Sequence, residues 1–98
     1  MSASEVRRMA VVSTGHLPPR YAKDGPGVEP GVVAYALSDV GWLVWVPDDP
    51  RESSEATEDQ VPKVLLDVQL WARAQGVDYV LFDRDGPDEP ELRRWSWW

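Results

Sequence analysis

The residues of this chain that could do chemistry gather at two places. Ser13-Thr14-Gly15-His16 follows an apolar stretch near the start, and Asp83-Arg84-Asp85-Gly86 follows another near the end. His16 is the only histidine, and cysteine is absent. An imidazole beside two carboxylates can hold a metal ion or run acid–base chemistry. If the two apolar stretches are neighbouring parallel strands, their carboxyl ends bring Thr14 and His16 towards Asp83 and Asp85, where ligand sites often form. One His and two Asp do not identify a metal, and no second His completes a facial triad. The same residues could instead form a lock, with an Asp accepting loop N–H groups and pairing with His or Arg. Residue types alone leave both readings open.

The segment Val80-Leu81-Phe82-Asp83-Arg84-Asp85-Gly86 resembles the first motif of the haloacid-dehalogenase-like phosphatases. The resemblance implies that Asp83 would attack phosphorus, that Asp85 would handle the leaving-group proton, and that both would help hold Mg²⁺. Those enzymes carry the motif near the N-terminus and need a Ser/Thr, a Lys and an acidic pair downstream. Here residues 87–98 follow the motif, and Pro87 stands in place of the usual Thr. The expectation is therefore no phosphatase, no catalytic residue and no cofactor. A glycine-rich phosphate loop, a nucleophile elbow and His-Glu-x-x-His are all missing from the sequence.

These residues must be positioned by a small fold. Ninety-eight residues suit a single domain spanning 1–98. The 43% apolar fraction and six tryptophans are enough for a packed interior. β-branched residues between Arg7 and Thr14 predict a first strand. Leu17 to Gly31 is a long Pro/Gly-rich loop, of the kind that is often functional or mobile. Val32–Leu37 and Trp42–Val46 flank Ser38-Asp39-Val40-Gly41 and predict a β-hairpin. Residues 48–59 read as an acidic linker. A helix follows from Gln60 to Gln75, with Asp59 as N-cap and Val61, Val64, Leu65, Val68, Trp71 and Ala72 at i, i+3, i+4 spacing. Gly76 should end it in the left-handed conformation. Tyr79–Asp83 is a fourth strand, and residues 87–98 form an acidic turn and a Trp-rich tail.

The order β-β-β-α-β predicts an α+β fold, a small mixed four-stranded sheet with one helix packed on one face. A right-handed crossover from Trp42 to Asp83 would leave those two strands parallel. One helix shields one face, so the other needs a cover or is itself a binding surface. The 17–31 loop and the tail are the candidate covers. Trp42 and Trp45 should point to opposite faces. Trp95, Trp97 and Trp98 either fold onto the open face or anchor a partner, because tryptophan is enriched in interface hot spots.

Charge narrows the partners. Seventeen acids against ten bases give a net charge of −7. Between Asp48 and Glu91 thirteen acids face four bases, a local balance of −9. Such a surface repels nucleic acid and attracts a basic protein surface. The candidate partner-binding residues are Asp48, Asp49, Glu52, Glu55, Glu58 and Asp59 in the linker, and Asp83, Asp85, Asp88, Glu89 and Glu91 after the fourth strand. The tail adds Trp95, Trp97 and Trp98. The same acids could simply keep the chain soluble. No apolar run approaches the roughly 20 residues of a membrane span. With no thiols, the expected location is a reducing cytoplasm, which the resemblance below makes that of a bacterial host.

Ser13-Thr14-Gly15-His16-Leu17-Pro18 together with Tyr79-Val80-Leu81-Phe82-Asp83-Arg84-Asp85-Gly86 resembles a family of small uncharacterised proteins of bacterial plasmids, prophages and integrative elements. The likeness spans most of the chain and implies a mobile-element context, without assigning a catalytic residue. By size and charge the chain is also similar to anti-CRISPR and antirestriction inhibitors, some of which mimic DNA with rows of carboxylates. The expected function is a non-enzymatic acidic inhibitor that occupies a basic nucleic-acid-binding surface of a host defence complex such as a CRISPR effector. The alternative is a small enzyme or ligand-binding domain using Thr14, His16, Asp83 and Asp85.

Overall fold

A computed structural model describes residues 5–57 and 60–96. Four short segments rich in valine, leucine and aromatic residues, types that suit a pleated surface, form one sheet. They are β1 (Met9–Ser13), β2 (Ala34–Leu37), β3 (Gly41–Trp45) and β4 (Tyr79–Asp83). Their spatial order is β1-β4-β3-β2. β1 and β4 run parallel, with Ser13 opposite Asp83. β2 and β3 form the expected hairpin, whose turn is tied by Val40 N–H donating to the Leu37 carbonyl at 2.9 Å. The α+β class and the mixed four-stranded sheet stand.

The helical part differs from expectation. Residues 50–56 of the supposed 48–59 linker form a helix, α1 (Pro50–Ala56). The Asp49 carboxylate caps it by accepting the Glu52 N–H at 3.1 Å, and Pro50 sits at the first position, where no donor is needed. Only Pro50 and Ser54 are buried, so no apolar stripe announces this helix. The order is thus β-β-β-α-α-β, with two helices instead of one.

The long helix, α2 (Lys63–Ala74), starts three residues later than Gln60. Pro62 itself is extended, with ψ 142°, and a proline also disfavours helical geometry in the residue before it. The proposed cap, Asp59, lies outside the described residues. Leu65, Val68 and Ala72 form the buried stripe, Val61 is buried just ahead of it, and Val64 and Trp71 are half-buried. Gly76, at φ 74°, closes the helix as expected. Its N–H reaches the Arg73 carbonyl at 3.0 Å, and Val77 N–H reaches Ala72 at 3.1 Å.

The crossover expectation also fails, because β3 and β4 are antiparallel neighbours. Residues 46–62 first travel the length of the sheet, and α2 then brings the chain back. Lys63, at its start, lies near His16 at the far end, whereas Asp78, after its finish, bonds Arg8 at the near end. Leaving and re-entering the sheet at one end reverses strand direction.

The register sorts the strands into two faces. Even-numbered Val12, Val44, Val80 and Phe82 point at α2 and are at most 3% exposed. Burying each such side chain contributes about 1.5–3 kcal/mol. The 17–31 loop packs on this same face through Leu17 and Tyr21. Gly25, at φ 78°, lets the loop backbone lie on Trp42, where a Cβ would come within 2.6 Å of the ring. Odd-numbered residues make the other face in three rows across the strands. Met9, Tyr79, Trp45 and Val33 form the first, Val11, Leu81, Leu43 and Tyr35 the second, and Ser13, Asp83, Gly41 and Leu37 the third. Trp42 and Trp45 therefore do point to opposite faces.

Among the described residues, neither candidate cover lies on the odd face. The loop is on the helix side, and the tail through Ser96 wraps the strand ends towards α2.

Candidate functional site

The carboxyl ends of β1 and β4 sit side by side, and the chain after β4 straps itself across them. Asp83 accepts the Asp85 N–H at 2.8 Å, and Gly86 N–H donates to the Asp83 carbonyl, which turns the chain back. Ser13 N–H then donates to the Pro87 carbonyl at 2.8 Å, and Trp95 N–H donates to Gly15 at 2.7 Å. Leu92 packs against the core. The Trp71 indole N–H donates to Glu91 at 3.0 Å and pins the strap to α2.

His16, 2% exposed, is the centre of this arrangement. Its Nε2 accepts the Glu89 N–H at 2.8 Å, and its Nδ1 lies 3.0 Å from the Arg93 carbonyl. A carbonyl can only accept and an amide N–H can only donate, so the two contacts together select the neutral Nδ1–H tautomer. Both ring nitrogens are thus committed to the backbone of the strap. The Ser13 hydroxyl accepts from Gly15 N–H at 3.0 Å and caps the turn that carries His16.

The topology brings Thr14, His16, Asp83 and Asp85 to one end of the sheet, but His16 bonds strap backbone and neither aspartate. Asp85 is exposed, 3.9 Å from Arg84. Among the described residues no three His, Cys, Asp or Glu side chains are placed to hold a metal ion. Two open cavities flank the strap. One of about 530 Å³ lies between α2 and the strap, walled by Val64, Val68, Trp71, Leu92 and Trp95. Another of about 610 Å³ caps the strand ends, lined by Ser13, Thr14, Gly15, Arg84, Arg94 and Trp95. Gly15 makes room for Arg94, because a Cβ there would meet the guanidinium at 2.6 Å.

The candidate partner-binding acids divide sharply. After β4, Asp83 holds a turn, Asp88 pairs with Arg94, Glu89 accepts the Glu91 N–H at 3.3 Å, and Glu91 holds Trp71. Asp48, Glu52 and Glu55 are exposed and make no ion pair among the described residues, and Asp49 serves only as the α1 cap. Glu58, Asp59, Trp97 and Trp98 lie outside the described residues. Trp95 is half-buried under Arg93, whose guanidinium sits 3.7 Å from the ring centre, and its indole N–H is buried without a partner.

One further carboxylate belongs to the framework. Asp78 accepts from Arg73 at 3.0 Å and from Arg8 N–H at 3.2 Å, joining the end of α2 to the starts of β1 and β4. The Arg73 hydrogen bond, with the Arg8 amide behind it, holds the Asp78 carboxyl below the usual carboxylate value of 3.8.

The sequence reading missed the strap bonds of His16 and the arginines Arg84 and Arg94 at the strand ends. It also missed α1, although Asp49 directly before Pro50 is a helix-start signal.

Fold and site define an α+β domain with a four-stranded mixed sheet, two helices on one face and a C-terminal strap locked by a histidine. A family model described as the C-terminal domain of DUF5983, a family of unknown function, matches residues 9–97, and the chain belongs to that family. No curated protein and no solved structure matches it. Among the described residues no helix is long and apolar enough to cross a membrane.

Proposed function

We propose that this chain is a non-enzymatic acidic binding protein whose 48–55 segment docks into a basic, nucleic-acid-handling surface of another protein. The observation that carries this reading is the free state of Asp48, Glu52 and Glu55, exposed on and beside α1 with no ion pair among the described residues. Glu52 and Glu55 are three apart and share one helix face. Carboxylates that do no work inside the fold keep their full charge for a cationic groove, where they would take the place of phosphates. Such a complex forms quickly and weakens as salt rises.

Size, acidity and the likeness to mobile-element proteins extend the proposal to an anti-CRISPR or antirestriction inhibitor acting in a bacterial cytoplasm. Trp95 and the post-β4 acids stand at most at the rim of that interface, since most of them already hold the strap.

The test is affinity capture from a bacterial host with the wild type and with the Asp48→Lys, Glu52→Lys, Glu55→Lys triple variant. Asp49 is left intact because it caps α1. The expected result is capture of a nucleic-acid-handling complex that added duplex DNA competes away and that the triple variant loses. Capture unchanged in the variant and indifferent to DNA would sink the proposal.

A further inference from the structure

Few groups fasten the strap to the body of the fold, and one of them titrates. Its main-chain ties are Ser13 N–H to the Pro87 carbonyl and Trp95 N–H to the Gly15 carbonyl, and the Trp71 indole adds Glu91. Between these His16 makes two bonds at once, accepting the Glu89 N–H and donating to the Arg93 carbonyl. No residue from 87 to 96 is buried, and Leu92 and Trp95 are half-buried. Val12, Val80 and Phe82, by contrast, are shut beneath α2. A segment with so little buried surface can open while the sheet behind it stays intact.

We infer that the strap is a proton-sensitive latch: uptake of a proton at His16 Nε2 releases residues 87–95 from the ends of β1 and β4 while the sheet and α2 stay folded. The Glu89 amide only donates, so Nε2 must keep its lone pair for the strap to close. An imidazolium carries a proton on both nitrogens and sets Nε2–H against the Glu89 N–H. Turning the ring over puts carbon where each nitrogen stood, and at 2% exposure little water reaches the ring to replace the lost partner. Neighbouring charges do not rescue the cation. Lys63 and Asp67 of α2, with Glu91 and Arg93 of the strap, line the cavity that His16 faces. Lys63 pairs with Asp67, Glu91 holds the Trp71 indole, and Arg93 lies over Trp95. The Glu89 carboxylate accepts the Glu91 N–H, Asp83 accepts the Asp85 N–H, and Asp88 pairs with Arg94. Among the described residues no ion pair joins the ring to any of these carboxylates.

The closed strap requires the neutral ring, whereas the open strap accepts either form. Acid therefore favours opening. Each pH unit of acidification within the range where imidazole takes up its proton multiplies the open population by up to ~10-fold. That range lies above the one in which carboxylates protonate, so the latch responds before the acids of the fold do. Opening uncovers Leu92, Trp95 and the strand ends. It leaves the 48–55 segment untouched and does not depend on the function proposed for it.

Because the chain has a single histidine, its ring resonances report His16 alone. Magnetic resonance with amide hydrogen exchange, from about pH 8 to about pH 5, tests the latch. The ring should show the Nδ1–H tautomer at the upper end. As it protonates, exchange at the Glu89 and Trp95 amides, corrected for its intrinsic pH dependence, should rise at least ~10-fold. The Val80 and Phe82 amides should keep their protection. His16→Gln offers an uncharged acceptor near the place of Nε2 and cannot titrate, so its strap should show no such rise. Where that variant does not fold, the wild type decides, because ring protonation and strap exchange must share one midpoint. A strap that stays protected while the ring protonates overturns the inference. So does a ring still neutral at about pH 5, an equal rise in His16→Gln, or loss of protection across β1 and β4 together with the strap.

Discussion

The two acidic segments of this protein carry similar charge and use it in opposite ways. After β4 the carboxylates are spent inside the molecule: Asp83 shapes a turn, Asp88 meets Arg94 and Glu91 holds Trp71. Around α1, Asp48, Glu52 and Glu55 touch no cation among the described residues. Charge counted along a sequence treats these groups as equals. Geometry separates those that build the strap from those left for a partner.

The strongest way to break this contrast is to remove the histidine around which the engaged segment is built. His16→Ala strips partners from the Glu89 N–H and the Arg93 carbonyl. It should cost about 1–3 kcal/mol, because both groups are only part-buried and water can partly replace the imidazole. Urea denaturation measures the loss, and hydrogen exchange should rise first across residues 87–95. A variant as stable as the wild type would mean that the strap contributes little to the fold.

Asp78 offers a second, pH-dependent probe of an engaged carboxylate. Its folded pKa lies below 3.8, so its contribution is fully present above that value and is lost as pH falls through the depressed one. Asp78→Asn should therefore melt earlier than the wild type at neutral pH. The gap should close in acid, below the ordinary carboxylate range. A gap constant with pH would assign the loss to packing instead of charge.

The smallest effects sharpen the contrast from both sides. Glu91→Ala deletes one exposed bond to Trp71 and should cost about 0.5–1 kcal/mol, with a change in tryptophan fluorescence as the indole N–H loses its acceptor. The Asp48, Glu52, Glu55 triple lysine variant should shift stability by no more than about 1 kcal/mol in total, most of it at Glu52 in the first turn of α1, because none of the three makes an ion pair among the described residues. A large destabilisation there would erase the distinction between the two segments.

Much of the local structure was legible in the residues. Tyr79–Asp83 reads as a strand from its own composition, and the hairpin from the turn between Leu37 and Gly41. Gly76 marks the end of α2 because only glycine takes that backbone angle cheaply. α1 was harder to see: a helix that buries only Pro50 and Ser54 has no apolar period to reveal it. The antiparallel β3–β4 pairing was out of reach, since it depends on residues 46–62 running the length of the sheet before α2 returns.

By itself, then, the sequence determined an acidic, thiol-free α+β chain whose first and last strands, once paired in parallel by the tertiary structure, bring Thr14, His16 and Asp83 to one end. Composition and periodicity act locally, and local signals suffice for strands, turns and helix ends. Only the tertiary structure decided that His16 binds the strap, and that one acidic segment is largely consumed while the other makes no ion pair among the described residues. Each of those outcomes depends on which distant groups come within hydrogen-bonding or van der Waals range, and both faces of these strands are equally apolar in sequence. The chain's own order cannot say which face its helices will take.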